Sequence, residues 1–156
     1  MSPVDPALED LTRATQVVRA LARVSSFLER SSSELSMAHY RVLSAISSGD
    51  ERASRIARRL ALGKPAISAA VTSLGQRGLL TRADVEGDLR ATDLRLTAEG
   101  QALLQRVEAE MIQRLEHVVS KTADPLALMQ HLEELAPAVE EVVAERARAG
   151  AGGDGR

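Results

Sequence analysis

Residues 54–76 carry two short amphipathic helical patterns that meet at a single glycine. The first pattern repeats apolar residues on one face from Ile56 to Ala61, and Ser54 is its candidate N-cap. Gly63 separates the two patterns, and we expect a side chain at this position to crowd the second helix. Two short helices with a tight turn between them restrict the chain to a few small α-helical architectures.

The second helical pattern separates an apolar face from a face of short side chains. Pro65 suits its first turn, where the missing N–H leaves no helical hydrogen bond unmade. The apolar face consists of Ile67, Ala70, Val71 and Leu74. The opposite face consists of Pro65, Ser68, Ala69, Thr72 and Gln76. Because this outer face lacks bulky apolar residues, it is typical of a helix that enters a groove rather than a core.

Two short segments after the second helix predict a β-hairpin. Residues 79–82 and 94–97 are the candidate strands, and Leu94 and Leu96 alternate with polar neighbours. Residues 84–90 between them are polar, which predicts a loop that projects into solvent. A helix-turn-helix followed by such a hairpin is a winged helix, a module that binds duplex DNA.

The same stretch resembles the multiple-antibiotic-resistance regulator (MarR) family over about residues 36–104. The family's motifs correspond to Ile56-Ala57-Arg58-Arg59-Leu60, Lys64-Pro65-Ala66-Ile67, the exit from Leu74 to Leu79, Asp88-Leu89-Arg90, and Leu94-Arg95-Leu96-Thr97-Ala98-Glu99-Gly100. One position departs from the pattern: Ala69 lies where family members often carry an arginine that faces outward.

The resemblance implies a mainly α-helical protein with a winged helix-turn-helix, a two-stranded wing and a helical dimerisation region. The implied segments are an N-terminal dimerisation helix (1–34), the DNA-binding region (35–97), C-terminal dimerisation helices (98–148) and a disordered tail (149–156). The implied function is a homodimeric transcription repressor on a pseudo-palindromic operator. The expected DNA-binding residues are Arg55, Arg58, Lys64, Pro65, Ala66, Ser68, Ala69, Thr72, Gln76, Arg82, Asp88 and Arg90.

Family members can be released from DNA by a small lipophilic or anionic aromatic effector that binds between the reading module and the dimer body. The sequence leaves open whether this chain has such an effector. It also leaves two alternatives from other classes: an architectural duplex-DNA binder with little sequence preference, and a winged-helix module that binds protein.

The N-terminal segment predicts two helices before the DNA-binding module. Asp5-Pro6 begins the first, which extends to about Arg30 and has an apolar surface wide enough to be buried between elements or subunits. Ser36 is the predicted N-cap of the second, which ends near residues 48–50.

The C-terminal third predicts two further helices. Thr97 caps the first, which runs to about Lys121, and Asp124-Pro125 begins the second. Apolar residues in the second recur at nearly heptad spacing, which favours packing against a partner helix. Pro137 interrupts this pattern and is expected to kink or split the helix near Leu135.

Charge is distributed unevenly along the chain, although the formal net charge is only −2. Residues 52–95 contain nine basic and four acidic residues, a net of +5. Residues 100–149 contain five basic and nine acidic residues, a net of −4. A basic module on an acidic body is typical of a duplex-DNA binder.

Composition excludes several other classes. The chain has no cysteine, so disulfides and cysteine-ligated metals are excluded, and two aromatic residues are too few for single-strand stacking. No glycine-rich phosphate loop or nucleophile motif is present, so we expect neither an enzyme nor a cofactor. His39, His117 and His131 fall on three different helices, so we expect no metal site. The absence of a long apolar run or a signal peptide predicts a cytoplasmic protein without membrane contact.

Overall fold

The computed structural model describes residues 6–49, 52–60, 63–85 and 88–151, which form six helices and one antiparallel hairpin. In chain order the elements are α1 (Pro6–Glu29), α2 (Met37–Ser47), α3 (Ala53–Arg59), α4 (Lys64–Gln76), β1 (Leu80–Val85), β2 (Asp88–Leu96), α5 (Ala98–Val119) and α6 (Pro125–Ala151). The predicted fold class, a mainly helical winged helix-turn-helix, is confirmed. Asp5, the predicted N-cap of the first helix, lies outside the described residues.

The hydrophobic core lies where α2, α3, α4, the hairpin and the first half of α5 meet. Its fully buried members include Leu43 from α2, Ile56 from α3, Leu74 from α4, Leu94 from β2 and Leu104 from α5. Each element contributes one apolar face, as its sequence period requires. The core therefore belongs to the winged helix-turn-helix and continues into α5.

Polar caps begin three helices where the sequence predicts them. The Ser36 hydroxyl accepts a hydrogen bond from the His39 N–H at 3.3 Å, and the Thr97 hydroxyl accepts one from the Gly100 N–H at 3.0 Å. The Asp124 carboxylate accepts one from the Ala127 N–H at 3.0 Å. These bonds satisfy N–H groups that the first turn of a helix leaves free.

The prediction that Ser54 caps the third helix is wrong, because α3 begins one residue earlier. The Arg52 carbonyl accepts the first helical hydrogen bonds, from the N–H groups of Arg55 and Ile56. Arg52 itself forms an isolated antiparallel bridge with Asp93 of β2. This extra pairing ties the start of α3 to the hairpin, and it moves the helix start off Ser54.

The hairpin strands are longer than predicted. β1 and β2 pair in regular register from Leu80 opposite Leu96 to Asp84 opposite Thr92. The register then shifts, and Val85 lies opposite Asp88. The predicted loop over residues 84–90 is therefore wrong: most of it belongs to the strands, since polar residues can still make the backbone hydrogen bonds of a ladder.

Helix α6 runs without a break through Pro137, so the predicted split near Leu135 is wrong. Proline removes one helical hydrogen bond, to the carbonyl four residues earlier, and that carbonyl belongs to the exposed Glu133. Water can satisfy it there. α6 also includes residues 149–151 of the predicted tail, whereas 152–156 lie outside the described residues.

Large apolar side chains remain exposed on the three helices that flank the module. α1 has Leu11 at 65% and Val18 at 65% exposure, and α6 has Leu126 at 70% and Val139 at 59%. Ile112 on α5 is also exposed. Over the described residues, the wide apolar face of the first helix is therefore not buried between elements of the same chain.

Candidate nucleic-acid interface

The glycine that precedes α4 lies at a position with room for a side chain. Gly63 is its N-cap residue, with an ordinary extended backbone (φ −62°, ψ 145°), and Pro65 lies in the first turn as predicted. Among the described residues, a Cβ atom added to Gly63 would meet the Pro65 Cδ atom alone, at 3.6 Å. The prediction that a side chain here would crowd the helix is therefore wrong, because 3.6 Å is an ordinary contact.

The two faces of α4 differ as its sequence predicts. Ile67, Ala70, Val71 and Leu74 are 0–7% exposed and pack into the core. The outer face is exposed along its length, and its members are Pro65, Ala66, Ser68, Ala69, Thr72 and Gln76. A helix held by one apolar face and open on the other has the geometry needed to enter a major groove.

A compact set of hydrogen bonds fixes the end of α4 against the start of α5. Gly78 adopts a left-handed conformation (φ +70°) that favours glycine, and its carbonyl accepts from the Thr97 hydroxyl at 2.7 Å. The Leu79 carbonyl accepts from the Thr97 N–H at 3.2 Å. A Cβ atom on Gly100 would lie 1.9 Å from this same carbonyl, so only glycine allows the approach. We call residues 78–79 and 97–100 the α4–α5 junction.

The structure describes the side chains of some of the charged residues that the sequence predicts to contact DNA. Arg55 on α3 and Arg82 on β1 are exposed. The side chains of Arg58, Lys64, Asp88 and Arg90 lie outside the described part of the structure, although their backbones belong to α3, α4 and β2.

Arg52 is a residue that the sequence analysis did not connect to the hairpin. Its guanidinium lies 3.8 Å from the carboxylate of Asp93, beside the backbone bridge between the two residues. No local pattern around Arg52 predicts a strand, because a single bridge has no periodicity.

Glu34 is a second residue that the sequence analysis missed. Its carbonyl accepts a hydrogen bond from the Arg77 guanidinium at 2.9 Å, and its carboxylate lies 3.2 Å from Arg106. Arg77 is the C-cap residue of α4, and Arg106 lies in α5. These residues are 43 and 72 positions from Glu34 in the chain, so no local signal could reveal the contacts.

Burial changes the titration of two side chains on α2. It lowers the pKa of His39, and the nearby Arg77 guanidinium lowers it further. Burial also raises the pKa of Tyr40, with a smaller contribution from the Glu108 carboxylate, against an opposing hydrogen bond with Ser44. Both side chains are half-buried.

A small cleft that encloses about 10 Å³ lies between the end of α1, residues 31–35, α2 and α5. Its walls are mainly apolar and include Leu28, Leu35, Tyr40, Val107 and Met111. Among the described residues that line it there is one carboxylate, Glu29, and no lysine or arginine.

The sequence model of the MarR family matches residues 33–91, which cover α2, α3, α4, β1 and the start of β2. This segment, which makes up less than half of the chain, is therefore similar to the MarR family. No functionally curated protein matches the chain significantly.

Solved structures of transcriptional regulators share this fold. The transcriptional repressor CouR, bound to a 23-mer DNA duplex, is 25% identical with a TM-score of 0.71, over 88% of this chain and 99% of that one. PcaV from Streptomyces coelicolor, in complex with its natural ligand, is 25% identical with a TM-score of 0.59. The match covers 88% of this chain and 98% of PcaV. BldR from Sulfolobus solfataricus is 19% identical with a TM-score of 0.69. The match covers 86% of this chain and 99% of BldR.

These solved structures of similar fold are transcription regulators rather than enzymes, in agreement with the prediction that the chain is not an enzyme. Over the described ranges, no group of three or more His, Cys, Asp or Glu side chains is arranged to hold a metal ion. Within the same ranges, none of the helices has the length and apolar character needed to cross a bilayer.

Proposed function

We propose that this chain is a homodimeric transcription repressor of MarR type that binds a pseudo-palindromic operator in duplex DNA. The observation that carries the proposal is the exposed outer face of α4, built from short side chains on a module with a net charge of +5. A regulator of this kind acts on chromosomal DNA in the cytoplasm. CouR, a repressor of similar fold, was solved on a DNA duplex.

In this proposal α4 lies in the major groove and reads bases with small polar groups. Ser68 and Thr72 are one turn apart on the exposed face, and their hydroxyls can donate or accept at base edges. The side chains of Pro65, Ala66 and Ala69 are short, so the helix backbone can approach the bases closely. Pro65, Ala66, Ala69 and Gln76 complete the surface that faces the groove.

Phosphate contacts supply most of the affinity in this proposal. Arg55 on α3 precedes α4 in the chain and Arg82 on β1 follows it, and both side chains are exposed. Arg58 and Lys64 add positive charge to the same module. Such contacts position the protein on the duplex without reading its sequence.

The hairpin acts as a wing that reaches the minor groove beside each half-site. Arg90 is the residue that enters the groove, and Asp88 holds its guanidinium in place before DNA arrives. Both residues belong to β2, where a strand backbone restricts them more than the loop predicted from sequence would.

The exposed apolar faces of α1, α5 and α6 support the homodimer. Among the residues whose burial the structure describes, nine large apolar side chains are exposed, and these nine lie on the three helices. A second copy is the partner that would cover them, because monomeric proteins rarely expose contiguous apolar patches of this kind. A stable, soluble monomer at micromolar concentration in sedimentation would contradict this part of the proposal.

The cleft beside α1, α2 and α5 is the proposed location of an effector. Its apolar walls, with a carboxylate and no cation among the described residues, favour a lipophilic effector over an anionic one. The cleft encloses about 10 Å³, far less than a typical ligand pocket, so binding requires α1 and α2 to separate. PcaV, a regulator of similar fold, was solved with its natural ligand.

The salt dependence of DNA binding tests the proposed interface. We expect random-sequence duplex to bind with an affinity that falls steeply with salt, and Arg55→Ala and Arg82→Ala should each reduce the log–log slope by about one unit. Lys121→Ala is the matched control. It removes one positive charge just after the C-terminal end of α5, a helix of 22 residues that is roughly 33 Å long and begins directly after the hairpin.

Each outcome of this experiment has a clear meaning. Reduced slopes for the two arginine variants with an unchanged Lys121→Ala slope support the proposed interface. Equal slopes for all variants would place the DNA elsewhere on the chain. Absence of binding at low salt would instead favour the protein-interaction alternative.

A further inference from the structure

The end of the recognition helix α4 is attached to α5 at two separate places. The first is the α4–α5 junction, where the Leu79 carbonyl and Gly100 are in direct contact. The second runs through Glu34, which accepts from Arg77 at 2.9 Å and pairs with Arg106 at 3.2 Å. Glu34 lies in neither helix: it belongs to the segment that joins α1 to α2.

The two attachments are separated along α5. Gly100 and Arg106 are six residues apart, which corresponds to roughly 9 Å of helix. α4 packs mainly on α2, α3 and β1 rather than along α5, and a single attachment at the junction restricts its rotation relative to α5 less than two attachments do. A second attachment at a distance restricts that rotation, so the two together define an angle between α4 and α5.

We propose that Glu34, Arg77 and Arg106 fix the angle of α4 relative to α5 and thereby set which half-site spacing the dimer accepts. The inference rests on the proposed function, since only a dimer that reads two half-sites has a spacing to discriminate. The three residues are positioning residues: none of them has to touch DNA for this role.

The energetics fit a positioning role better than a role in stability. The Arg106 and Glu34 side chains are 58% and 48% exposed, and exposed ion pairs contribute little to folding. Removing the Glu34 link should therefore leave the module folded while it widens the range of α4 orientations. A small free-energy change is still enough to alter the discrimination between two operators that differ only in spacing.

The same segment also connects the cleft to the recognition helix. Ser31, Ser32 and Leu35 line the cleft, and Glu34 lies between Ser32 and Leu35 in the chain. A ligand that pushes these residues outward would move the Glu34 carbonyl away from Arg77. The Glu34 link is thus a route by which occupancy of the cleft reaches α4.

A distance measurement tests the link without DNA. The chain has no cysteine, so Ala69→Cys on α4 and Gln113→Cys on α5 can carry two nitroxide labels and no others. Labelled protein is diluted into excess unlabelled protein so that only distances within one chain are recorded. We expect a narrow distribution in the parent, and broader ones after Arg77→Ala and Arg106→Ala.

Two further variants separate the contact from its charge. Arg77→Lys keeps the charge but loses the planar guanidinium, so it should broaden the distribution as Arg77→Ala does. Lys121→Ala removes a charge just after the C-terminal end of α5 and should leave the distribution unchanged. An Arg77→Ala distribution as narrow as that of the parent would overturn the proposal.

Operator spacing provides the functional readout. The probes are the palindromes selected by the unmodified chain, each with its centre lengthened or shortened by one base pair. We expect Arg77→Ala and Arg106→Ala to lower the preference for the original spacing by about threefold per protomer. An unchanged preference would overturn the proposal that these residues set the half-site spacing. If the unmodified chain binds no duplex, the proposed function is overturned. The distance measurement alone then decides whether Glu34, Arg77 and Arg106 fix the angle of α4.

Discussion

Gly100→Ala should destabilise the protein, although alanine normally stabilises a helix. Gly100 lies in the first turn of α5, where replacing glycine by alanine usually stabilises by about 1 kcal/mol. Here the new Cβ atom would lie 1.9 Å from the Leu79 carbonyl oxygen and 2.8 Å from its carbon. Real Cβ contacts essentially never fall below 3.0 Å, so the backbone would have to open by about 1.1 Å.

The cost of that opening can be estimated from its parts. Forcing a methyl group into a packed site costs about 1–3 kcal/mol. The movement also breaks the hydrogen bond from the Thr97 N–H to the Leu79 carbonyl, which contributes about 1 kcal/mol. Set against the gain in helix propensity, the net destabilisation is about 1–3 kcal/mol.

Gly75→Ala is the matched control in α4. A Cβ atom there would meet only the Leu80 Cδ1 atom, at 3.8 Å, which is an ordinary contact. We therefore expect this variant to be stabilised by about 0.5–1 kcal/mol. Both variants should be compared with the parent by denaturant unfolding at one protein concentration, because the stability of a dimer depends on concentration. A Gly100→Ala variant as stable as Gly75→Ala would refute this account of the α4–α5 junction.

The remaining predictions concern base reading, the wing and pH. Ser68→Ala and Thr72→Ala should each narrow the affinity gap between the cognate palindrome and random DNA by about 1–3 kcal/mol in anisotropy titrations, and two unchanged gaps would assign specificity to DNA shape. Arg90→Ala should weaken binding and flatten the log–log salt slope by about one unit, and a slope equal to the parent's would remove Arg90 from the interface. Asp88→Ala should also weaken binding, whereas tighter binding with unchanged melting temperature would show that Asp88 does not orient the wing. Burial and a neighbouring arginine lower the pKa of His39, so its contribution to stability is present above pH about 6.5 and is lost as pH falls below that; His39→Gln should reduce this loss in unfolding measurements between about pH 7 and 5, and identical pH profiles would contradict the assignment.

Elements with strong local signals could be predicted from the sequence. The caps Ser36 and Thr97 and the two faces of α4 follow from hydroxyl chemistry and helical period, and the structure confirms them. Gly100 is part of the family motif, but only the structure reveals its physical reason, which is the approach of the Leu79 carbonyl.

Features that depend on distant residues could not be predicted. The start of α3 depends on the bridge between Arg52 and Asp93, which are far apart in the chain. The contacts of Glu34 with Arg77 and Arg106 depend in the same way on tertiary packing. The error at Pro137 has a different cause: helix propensity predicts a break, but an exposed helix can tolerate one missing hydrogen bond.

Selection of bound fragments from a pool of random duplex DNA tests the central claim most directly. Purified protein is incubated with the pool near physiological salt, and bound fragments are recovered and sequenced over several rounds. The account predicts one enriched inverted repeat whose half-sites lie about one helical turn apart. Binding without enrichment of any sequence would contradict the regulator and support an architectural DNA binder, and no recovery of DNA would contradict both.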